Sequence, residues 1–307
     1  MRVLIVEGPD GAGKTSLIQR LATEFALNDG RSPLIEHHGP YLGEENIGWH
    51  YFRSMKRAIG PAQQRVIMDR SWLSEPIYAE HYRATESRIK PAELQQLERA
   101  GLTGGAVVIR CDPGWGQCRL NWAARKGEEY VKTVDKMEAI YDRYLSLNTA
   151  HPFPQITWDY VSSTLASITD WLKMEPTRAA PPGYAGNAKD PKAVIVADTA
   201  NHVSFTLPFF SFLRTGCSWW LAETMAEAGI RERDLLWTNA YDIDGTPRNP
   251  TRIKELNKPT FALGKNALKW CGKNGIDCIE HKHPMYWKRF QFLHTYPLIT
   301  DLKEVMK

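Results

Sequence analysis

Short apolar runs alternate with stretches of helical periodicity through the first half of the chain. The runs lie at residues 3–6, 33–36, 65–68, 105–110 and 155–160, and helical spacing of apolar residues follows most of them. Strands that alternate with helices form a mainly parallel sheet covered on both faces. The pattern therefore predicts an α/β domain over 1–176, with ligands at the carboxyl ends of its strands.

The second half repeats this alternation on a smaller scale. Apolar runs at 193–198, 234–239 and 260–265 predict strands, and residues 219–228 predict a helix between the first two. Residues 177–191 are rich in Pro, Gly and Ala without apolar periodicity, which is typical of an interdomain linker. We therefore predict a second, smaller α/β domain over 192–307.

The first strand leads into a glycine-rich stretch that matches G-x-x-x-x-G-K-[ST] without a gap. In such a loop, backbone N–H groups and the following helix N-terminus hold phosphate oxygens. Lys14 is predicted to reach the β- and γ-phosphates, and Thr15 to bind Mg²⁺. The alternative, a turn without a ligand, leaves the agreement of motif, strand and helix unexplained. The predicted ATP-binding residues are Gly8, Asp10, Gly11, Ala12, Gly13, Lys14, Thr15 and Ser16.

The third strand ends in the polar sequence Asp69-Arg70-Ser71. A carboxylate at this place can hold Mg²⁺ or accept the proton of an acceptor hydroxyl in phosphoryl transfer. We predict these roles for Asp69, and binding of the acceptor for Arg70. The alternative is that Asp or Ser only caps the next helix, a role that we assign to Ser71.

A basic stretch follows the fourth strand. It contains Arg119, Arg125 and Lys126. Phosphoryl transfer requires positive charge near the reacting phosphate, and a basic lid often supplies it. Arg119 and Arg125 are therefore predicted catalytic residues, with a solvated helix face as the alternative.

Composition and charge indicate the cellular compartment and the kind of binding partner. The five cysteines are irregularly spaced, which favours a reducing cytoplasm over a disulfide-bonded fold, and no apolar run reaches the length of a membrane span. Residues 1–191 are electrically balanced, so the whole net charge of +4 lies in 192–307. A basic domain indicates either a nucleic-acid partner or an ordinary solvated surface.

The residues from Glu7 to Thr15, together with Asp69-Arg70-Ser71 and the basic lid, resemble the thymidylate kinase and deoxynucleoside kinase family. The resemblance covers about residues 1–175. It implies a P-loop kinase that transfers the γ-phosphate of ATP, with Mg²⁺, to a deoxynucleotide or deoxynucleoside. The acceptor pocket of that family has no residue-by-residue match here.

The second half resembles the uracil-DNA glycosylase superfamily over about residues 192–292. The resemblance rests on Asp198, on the sequence around Thr238-Asn239, on Leu263-Gly264-Lys265 and on His283-Pro284. It implies that Asn239 and His283 flank a flipped pyrimidine. Enzymes that act on bases in DNA need such a pocket.

Other residues of this half are expected to assist in binding DNA. Trp287, Lys288 and Arg289 follow His283-Pro284 and are predicted to contact the duplex and its phosphates. The first motif, residues 197–201, lacks the proline and both glycines of the superfamily, which favours base binding over glycosidic cleavage. The alternative roles are a capping residue for Asn239 and a turn histidine for His283.

Together, the two resemblances favour a kinase that phosphorylates a 5-hydroxymethyl-pyrimidine in DNA, similar to bacteriophage 5-hydroxymethyluracil DNA kinases. Such a protein acts in the host cytoplasm. The second hypothesis is a thymidylate-like kinase of free pyrimidine deoxynucleotides with a DNA-binding appendage. The third is a DNA glycosylase or damage-binding protein with an ATP-binding half. The sequence gives no prediction of oligomeric state.

Overall fold

A computed structural model describes residues 2–39, 46–60, 63–125, 131–147, 151–174, 179–200, 207–208, 216–291 and 294–307. The chain forms two compact units. Unit 1 comprises Met1–Lys90 and Gly104–Arg178, and unit 2 comprises Pro91–Thr103 and Ala179–Lys307. Among the described residues, no helix has both the length and the apolar character that crossing a membrane requires.

Unit 1 contains a five-stranded parallel sheet in the order β2-β3-β1-β4-β5. Its central strand, β1, is completely buried because all five of its residues lie in the core. The strands are β1 (Val3–Glu7), β2 (Leu34–His37), β3 (Val66–Asp69), β4 (Val107–Cys111) and β5 (Gln155–Trp158). The helices are α1 (Lys14–Asp29), α2 (Ile47–Ile59), α3 (Ser74–Tyr78) with a π-helical turn (Ala79–Arg83), α5 (Trp115–Ala124), α6 (Val134–Leu145) and α7 (Leu165–Met174).

The order of these strands places β1 between β3 and β4, so the loop after β1 lies at the carboxyl edge of the sheet beside the end of β3. Val6 is paired in register with Asp69, and Glu7 with Arg110. The predicted phosphate loop and Asp69 therefore come together through the sheet register.

Unit 2 has a second five-stranded sheet, in the order β10-β9-β7-β8-β6. Its strands pair in parallel except for β6, which runs antiparallel to β8. The strands are β6 (Tyr184–Gly186), β7 (Ala193–Thr199), β8 (Leu235–Tyr241), β9 (Thr260–Leu263) and β10 (Ile279–His281). The helices are α4 (Pro91–Gly104), α8 (Cys217–Glu227), α9 (Thr251–Leu256), α10 (Lys265–Lys273), α11 (Pro284–Phe290) and α12 (Pro297–Val305), with a 3-10 turn at Glu232–Asp234. The predicted fold class, an α/β unit with a parallel sheet followed by a smaller α/β unit, is confirmed.

The stretch predicted as a linker contributes to unit 2. Tyr184–Gly186 forms the edge strand β6, and Ala180, Tyr184 and Ala188 pack into the hydrophobic core of that unit. Gly186 has a φ of +87°, and a Cβ there would lie 2.6 Å from the carbonyl oxygen of Leu235. The glycines that made this stretch look like a flexible connection instead allow a close strand pairing.

Helix α4 lies in the first half of the sequence but belongs to unit 2. The sequence predicted two domains joined by one linker between 176 and 192, whereas unit 2 is built from two separate segments of the chain. The physical reason is a buried ion pair: Arg99 donates from Nη2 to Glu232 at 2.5 Å, and the two side chains are 2% and 0% exposed. Gln95 of α4 also donates to the carbonyl oxygen of Ile230 at 2.7 Å. Neither partner is identifiable from the local pattern of α4.

Candidate functional site

The loop between β1 and α1 contains three glycines with positive φ angles. Gly8, Gly11 and Gly13 have φ angles of +148°, +78° and +84°, which disfavour residues with a Cβ. A Cβ at Gly8 would lie 2.6 Å from the carbonyl oxygen of Cys111, and one at Gly11 would lie 2.5 Å from that of Cys118. The glycines thus permit both the loop conformation and its close packing on neighbouring backbone.

Gly11→Ala is expected to destabilise the protein by about 1–3 kcal/mol more than Gly30→Ala, because the new methyl group overpacks against α5. Gly30 is the matched control: its φ is +66°, similar to that of Gly11, but no atom lies within 4 Å of the place that a methyl group would take there. The measurement is the urea midpoint of each variant. Equal midpoints would show that close packing at Gly11 contributes nothing.

Lys14 is the first residue of α1, and its side chain folds back over the loop. Its Nζ donates to the carbonyl oxygens of Gly8 at 2.9 Å and of Pro9 at 2.8 Å. Burial, and after it the positive charge of Arg70, lowers the pKa of Lys14 to about 8. The ammonium is thus held at the loop by two neutral acceptors, which a phosphate anion would outcompete electrostatically.

Arg70 follows β3 with a φ of +68°, an uncommon conformation for a residue with a Cβ. Its guanidinium donates to the carbonyl oxygen of Gly8 at 3.0 Å, to Tyr144 Oη at 2.7 Å and to Asp10 Oδ1 at 2.5 Å. Although burial raises the pKa of Asp10, the charges of Arg70 and Lys14 hold it below the ordinary value. Arg70 therefore fixes the loop to the end of β3 and also lines the cavity described below.

Glu7 lies beneath this network and is completely buried. It accepts hydrogen bonds from Ser71 at 2.7 Å and from Ser74, while Tyr144, which Arg70 contacts, also lies near it. Burial raises the pKa of Glu7 against the opposing hydrogen bonds of Ser74 and Ser71. Ser71 also accepts from the N–H of Leu73 at 3.2 Å, but the N-cap of α3 is Leu73, so the capping role predicted for Ser71 is wrong. The sequence assigned Glu7 no role, because a carboxylate at the end of a buried strand does not reveal its partners.

Asp69 ends β3 and is bound on one side only. Its Oδ2 lies 3.0 Å from Nδ1 of His37, whereas its Oδ1 is buried and has no hydrogen-bond partner. His37 ends β2, which pairs with β3, so the two side chains meet through the register His37↔Asp69. The carboxyl-end rule for parallel strands points to this histidine, although the sequence alone did not select it.

The cavity beside these residues has a volume of about 350 Å³. Lys14, Asp69 and Arg70 line one part of it. Tyrosine rings and a buried ion pair line another: Glu75 is 5% exposed and binds Arg83 at 2.5 Å and Arg88 at 3.0 Å. The lining residues beyond Lys14, Asp69 and Arg70 include Asp10, Gly13, Thr15, Ser16, His37, His38, Tyr51, Ser74, Glu75, Tyr78, Tyr82, Arg83 and Arg125.

Some of the predicted phosphate-binding and lid residues line the cavity, and others lie on the surface away from it. Thr15 and Ser16 are exposed at the start of α1 and line the cavity, as does Arg125 at the end of α5. Arg119 is exposed on α5 and is absent from the cavity lining. Lys126 lies outside the described residues. Of the predicted lid, the structure therefore brings Arg125 to the site.

In unit 2 the predicted base-binding residues lie at the carboxyl edge of the second sheet. Asn239 is 2% exposed, and its Nδ2 is buried without a hydrogen-bond partner. It pairs in register with Ala197, next to Asp198. Asp198 accepts from the backbone N–H of Ala267 at 2.8 Å and so caps α10. Asn201, from the same predicted motif, lies outside the described residues.

His283 is the N-cap of α11, where its Nδ1 accepts from the N–H of Met285 at 3.2 Å. Burial lowers its pKa, and the charge of Asp198 opposes this shift, so the two side chains are electrostatic neighbours. Farther along α11, Lys288 lies 3.4 Å from the carbonyl oxygen of Gly216, and Arg289 is exposed. Asp198 and His283 thus each accept a backbone hydrogen bond at the start of a helix. The buried amide nitrogen of Asn239 has no such contact.

Comparisons with known proteins give remote similarity in fold. No family model matches the chain, and no curated protein matches it. Among solved structures, the YorR protein of Bacillus subtilis in complex with phosphorylated GDP is 19% identical, with a TM-score of 0.43, over 56% of this chain and 94% of that one. Deoxyadenosine kinase from M. mycoides with bound dATP is 14% identical, with a TM-score of 0.35, over 56% of this chain and 100% of its own. The same kinase with bound dCTP is 15% identical, with a TM-score of 0.35.

Proposed function

We propose that unit 1 is an ATP-dependent kinase that transfers the γ-phosphate to a hydroxyl group bound in the 350 Å³ cavity. The observation that carries this proposal is the placement of Lys14 and Asp69 in one cavity at the start of α1. The acceptor oxygen bonds to the γ-phosphorus as the bond to the β-bridging oxygen breaks, which releases ADP. Lys14 and Arg125 supply positive charge for the phosphate oxygens.

Of the three carboxylates that line the cavity among the described residues, Asp69 is the one suited to receive the hydroxyl proton. Asp10 is bound to Arg70, and Glu75 is bound to two arginines. Asp69 keeps one buried oxygen without a partner while His37 holds the other. We therefore assign Asp69 to orient the acceptor hydroxyl and take its proton, and His37 to position Asp69.

The same residues fit a magnesium ion that enters with ATP. Mg²⁺ is usually held by one or two protein oxygens together with substrate phosphates and water. Thr15 offers a hydroxyl at the start of α1, and Asp69, which lines the same cavity, can hold a water molecule of the ion, so that its unpartnered oxygen is kept for the acceptor hydroxyl. When bound, the ion neutralises charge on the β- and γ-phosphates.

The pH dependence of this activity follows from Lys14. Its pKa of about 8 means that the free protein loses the ammonium as the pH rises through that value. We expect kcat/KM for ATP, which reports the free enzyme, to fall about tenfold per pH unit above about pH 8. A bound phosphate stabilises the Lys14 ammonium and so raises its pKa. We therefore expect kcat at saturating ATP to stay constant up to a higher pH than kcat/KM. A level kcat/KM up to about pH 9.5 would contradict this role of Lys14.

For the acceptor, we favour a 5-hydroxymethyl-pyrimidine, in particular 5-hydroxymethyluracil, in DNA, presented by unit 2. Asn239 supports this choice, because a buried amide nitrogen without a hydrogen-bond partner is costly unless a ligand accepts from it. An amide can hydrogen-bond the edge of a base, as Asn side chains do in nucleic-acid recognition. The tyrosines of the unit 1 cavity provide flat surfaces for an aromatic acceptor.

A free pyrimidine deoxynucleotide is the second candidate. The unit 1 cavity has tyrosine rings for a base and arginines for a phosphate, so it could hold such a nucleotide without help from unit 2.

The deciding experiment incubates the full chain with γ-labelled ATP and Mg²⁺, and offers hydroxymethylated DNA or dTMP as acceptor. Label on the hydroxymethylated DNA but not on dTMP supports the favoured acceptor, and label on dTMP alone rejects it. Absence of label on every acceptor rejects the kinase, and an abasic product from uracil-containing DNA would favour a glycosylase.

The role of unit 2 is tested by the double variant Asn239→Ala and His283→Ala. We expect it to lose use of the DNA acceptor while ATP turnover by unit 1 persists, because both residues lie in unit 2. Arg289→Ala, an exposed change on α11, tests the predicted phosphate contact separately. Equal phosphorylation of DNA by the wild type and the double variant would show that unit 2 does not present the base.

A further inference from the structure

One face of α10 carries three lysines at intervals of four residues. Lys265, Lys269 and Lys273 are all exposed. At 3.6 residues per turn they lie within about 80° of one another around the helix axis, about 6 Å apart along it. We call Lys265, Lys269 and Lys273 the lysine stripe.

The opposite face of α10 fixes the orientation of this stripe. Ala267, Trp270 and Cys271 are buried in the hydrophobic core of unit 2, with exposures of 0%, 1% and 0%. A helix anchored by an apolar face in this way cannot rotate without exposing its tryptophan. The three lysines are therefore held toward solvent by the core beneath them.

The lysine stripe is not neutralised by its own helix. Helix α10 contains no acidic residue, and the nearest acidic residues that follow it in sequence are Asp277 and Glu280. Within the described chain, none of the three lysines forms an ion pair with a carboxylate, whereas Lys258, just before β9, is paired with Asp190. Three like charges that share a helix face repel one another unless an anion binds them.

We propose that the lysine stripe binds the phosphate backbone of a DNA strand. The stripe extends about 12 Å, and one DNA strand places a phosphate about every 3.4 Å along the duplex axis, so the stripe spans about three to four phosphates. It begins at Lys265, two residues after the end of β9, and Asp198 links that end of α10 to the neighbourhood of His283. The stripe thus starts beside the residues proposed to receive the base.

The chemistry of α10 favours nucleic acid over a membrane surface. An interfacial helix inserts an exposed apolar face into lipid beside its basic residues. The exposed positions of α10 are Lys265, Asn266, Lys269, Gly272 and Lys273, and none of them is apolar. A surface that is basic and polar throughout is suited to phosphates along a strand.

This inference rests on the proposed use of DNA, and its test is independent of catalysis. A fluorescein-labelled DNA strand and its duplex are titrated without ATP into the full chain, both as wild type and with Lys14→Ala. Replacing all three stripe lysines with Gln is expected to weaken binding at least about tenfold at about 0.1 M salt and to lower the salt slope by about 2 to 3. Replacing all three with Arg should preserve binding, because charge rather than lysine itself is required.

The matched control replaces Lys254, Lys303 and Lys307 with Gln. These lysines are exposed in unit 2, and their replacement removes the same net charge. Near wild-type DNA binding by this control, with loss only in the stripe variant, supports the proposal. Equal loss in both would attribute binding to net charge alone and overturn the proposal, as would unchanged binding in the stripe variant. Stripe-dependent binding to phosphatidylglycerol vesicles instead of DNA would also overturn it.

Discussion

Lys14→Ala is expected to lower the rate of phosphoryl transfer by about 10³-fold or more, because it removes the ammonium that we propose to bind the transferred phosphate. Lys14 is buried at the loop, and no other lysine lines the cavity among the described residues. The measurement is label transfer from γ-labelled ATP at saturating ATP and acceptor. Lys56→Ala is the matched control, since Lys56 is exposed on α2 and lies outside the cavity lining.

The outcome separates a catalytic lysine from a structural one. A folded Lys14→Ala variant, verified by circular dichroism, with a rate close to that of Lys56→Ala would show that the loop does not bind the transferred phosphate. If the variant does not fold, Lys14 is needed for the structure of the loop, because its Nζ donates to the carbonyl oxygens of both Gly8 and Pro9. Lys14→Arg, which keeps the positive charge, then measures how far charge alone supports the rate.

The second large effect concerns the stability of unit 2. Arg99→Ala is expected to lower the free energy of unfolding by about 3–5 kcal/mol, because it leaves the Glu232 carboxylate buried without its partner. Besides the ion pair, Arg99 lies 3.8 Å from the centre of the Trp237 ring, and Trp237 Nε1 donates to Glu232 at 2.9 Å. Glu98 lies nearby, and burial together with the charge of Glu232 raises its pKa to about 8, which favours the neutral, protonated carboxyl.

Urea unfolding of the full chain measures this effect. With a slope of about 1–3 kcal/mol per M, the Arg99→Ala midpoint should fall by at least about 1 M. Lys173→Ala is the control, because Lys173 and Asp170 form an exposed pair whose side chains are 72% and 65% exposed, and such pairs contribute about 0–1 kcal/mol. The double variant Arg99→Leu with Glu232→Leu should recover most of the loss. Similar midpoints for Arg99→Ala and Lys173→Ala would show that α4 is not held by this pair.

The conformation of the glycine-rich loop could be predicted from sequence because it depends on residues that are neighbours in the chain. Gly8, Gly13, Lys14 and Thr15 stand at fixed spacing between a strand and a helix, so the spacing alone implies the geometry. Asp69 followed from the carboxyl-end rule for parallel strands. These predictions needed no knowledge of which distant residues touch the site.

The remaining features depend on distant residues. Arg70 is separated by 60 residues from Asp10 and by 74 from Tyr144, and no local pattern predicts those contacts. The pairing of Arg99 with Glu232 spans 133 residues and places α4 in unit 2, against the order of the sequence. The strand β6 was hidden in a stretch whose Pro and Gly content resembles that of a linker.

The most direct test of the proposed function is a crystal structure of the full chain with Mg²⁺ and a nonhydrolysable ATP analogue. We predict that the β- and γ-phosphates lie against the backbone N–H groups of Gly11 to Thr15, and that Lys14 Nζ leaves the carbonyl oxygens of Gly8 and Pro9 to bind them. The γ-phosphate should face the cavity side that carries Asp69. An analogue bound elsewhere, or Lys14 still bonded to Gly8 and Pro9 beside a bound triphosphate, would contradict the account.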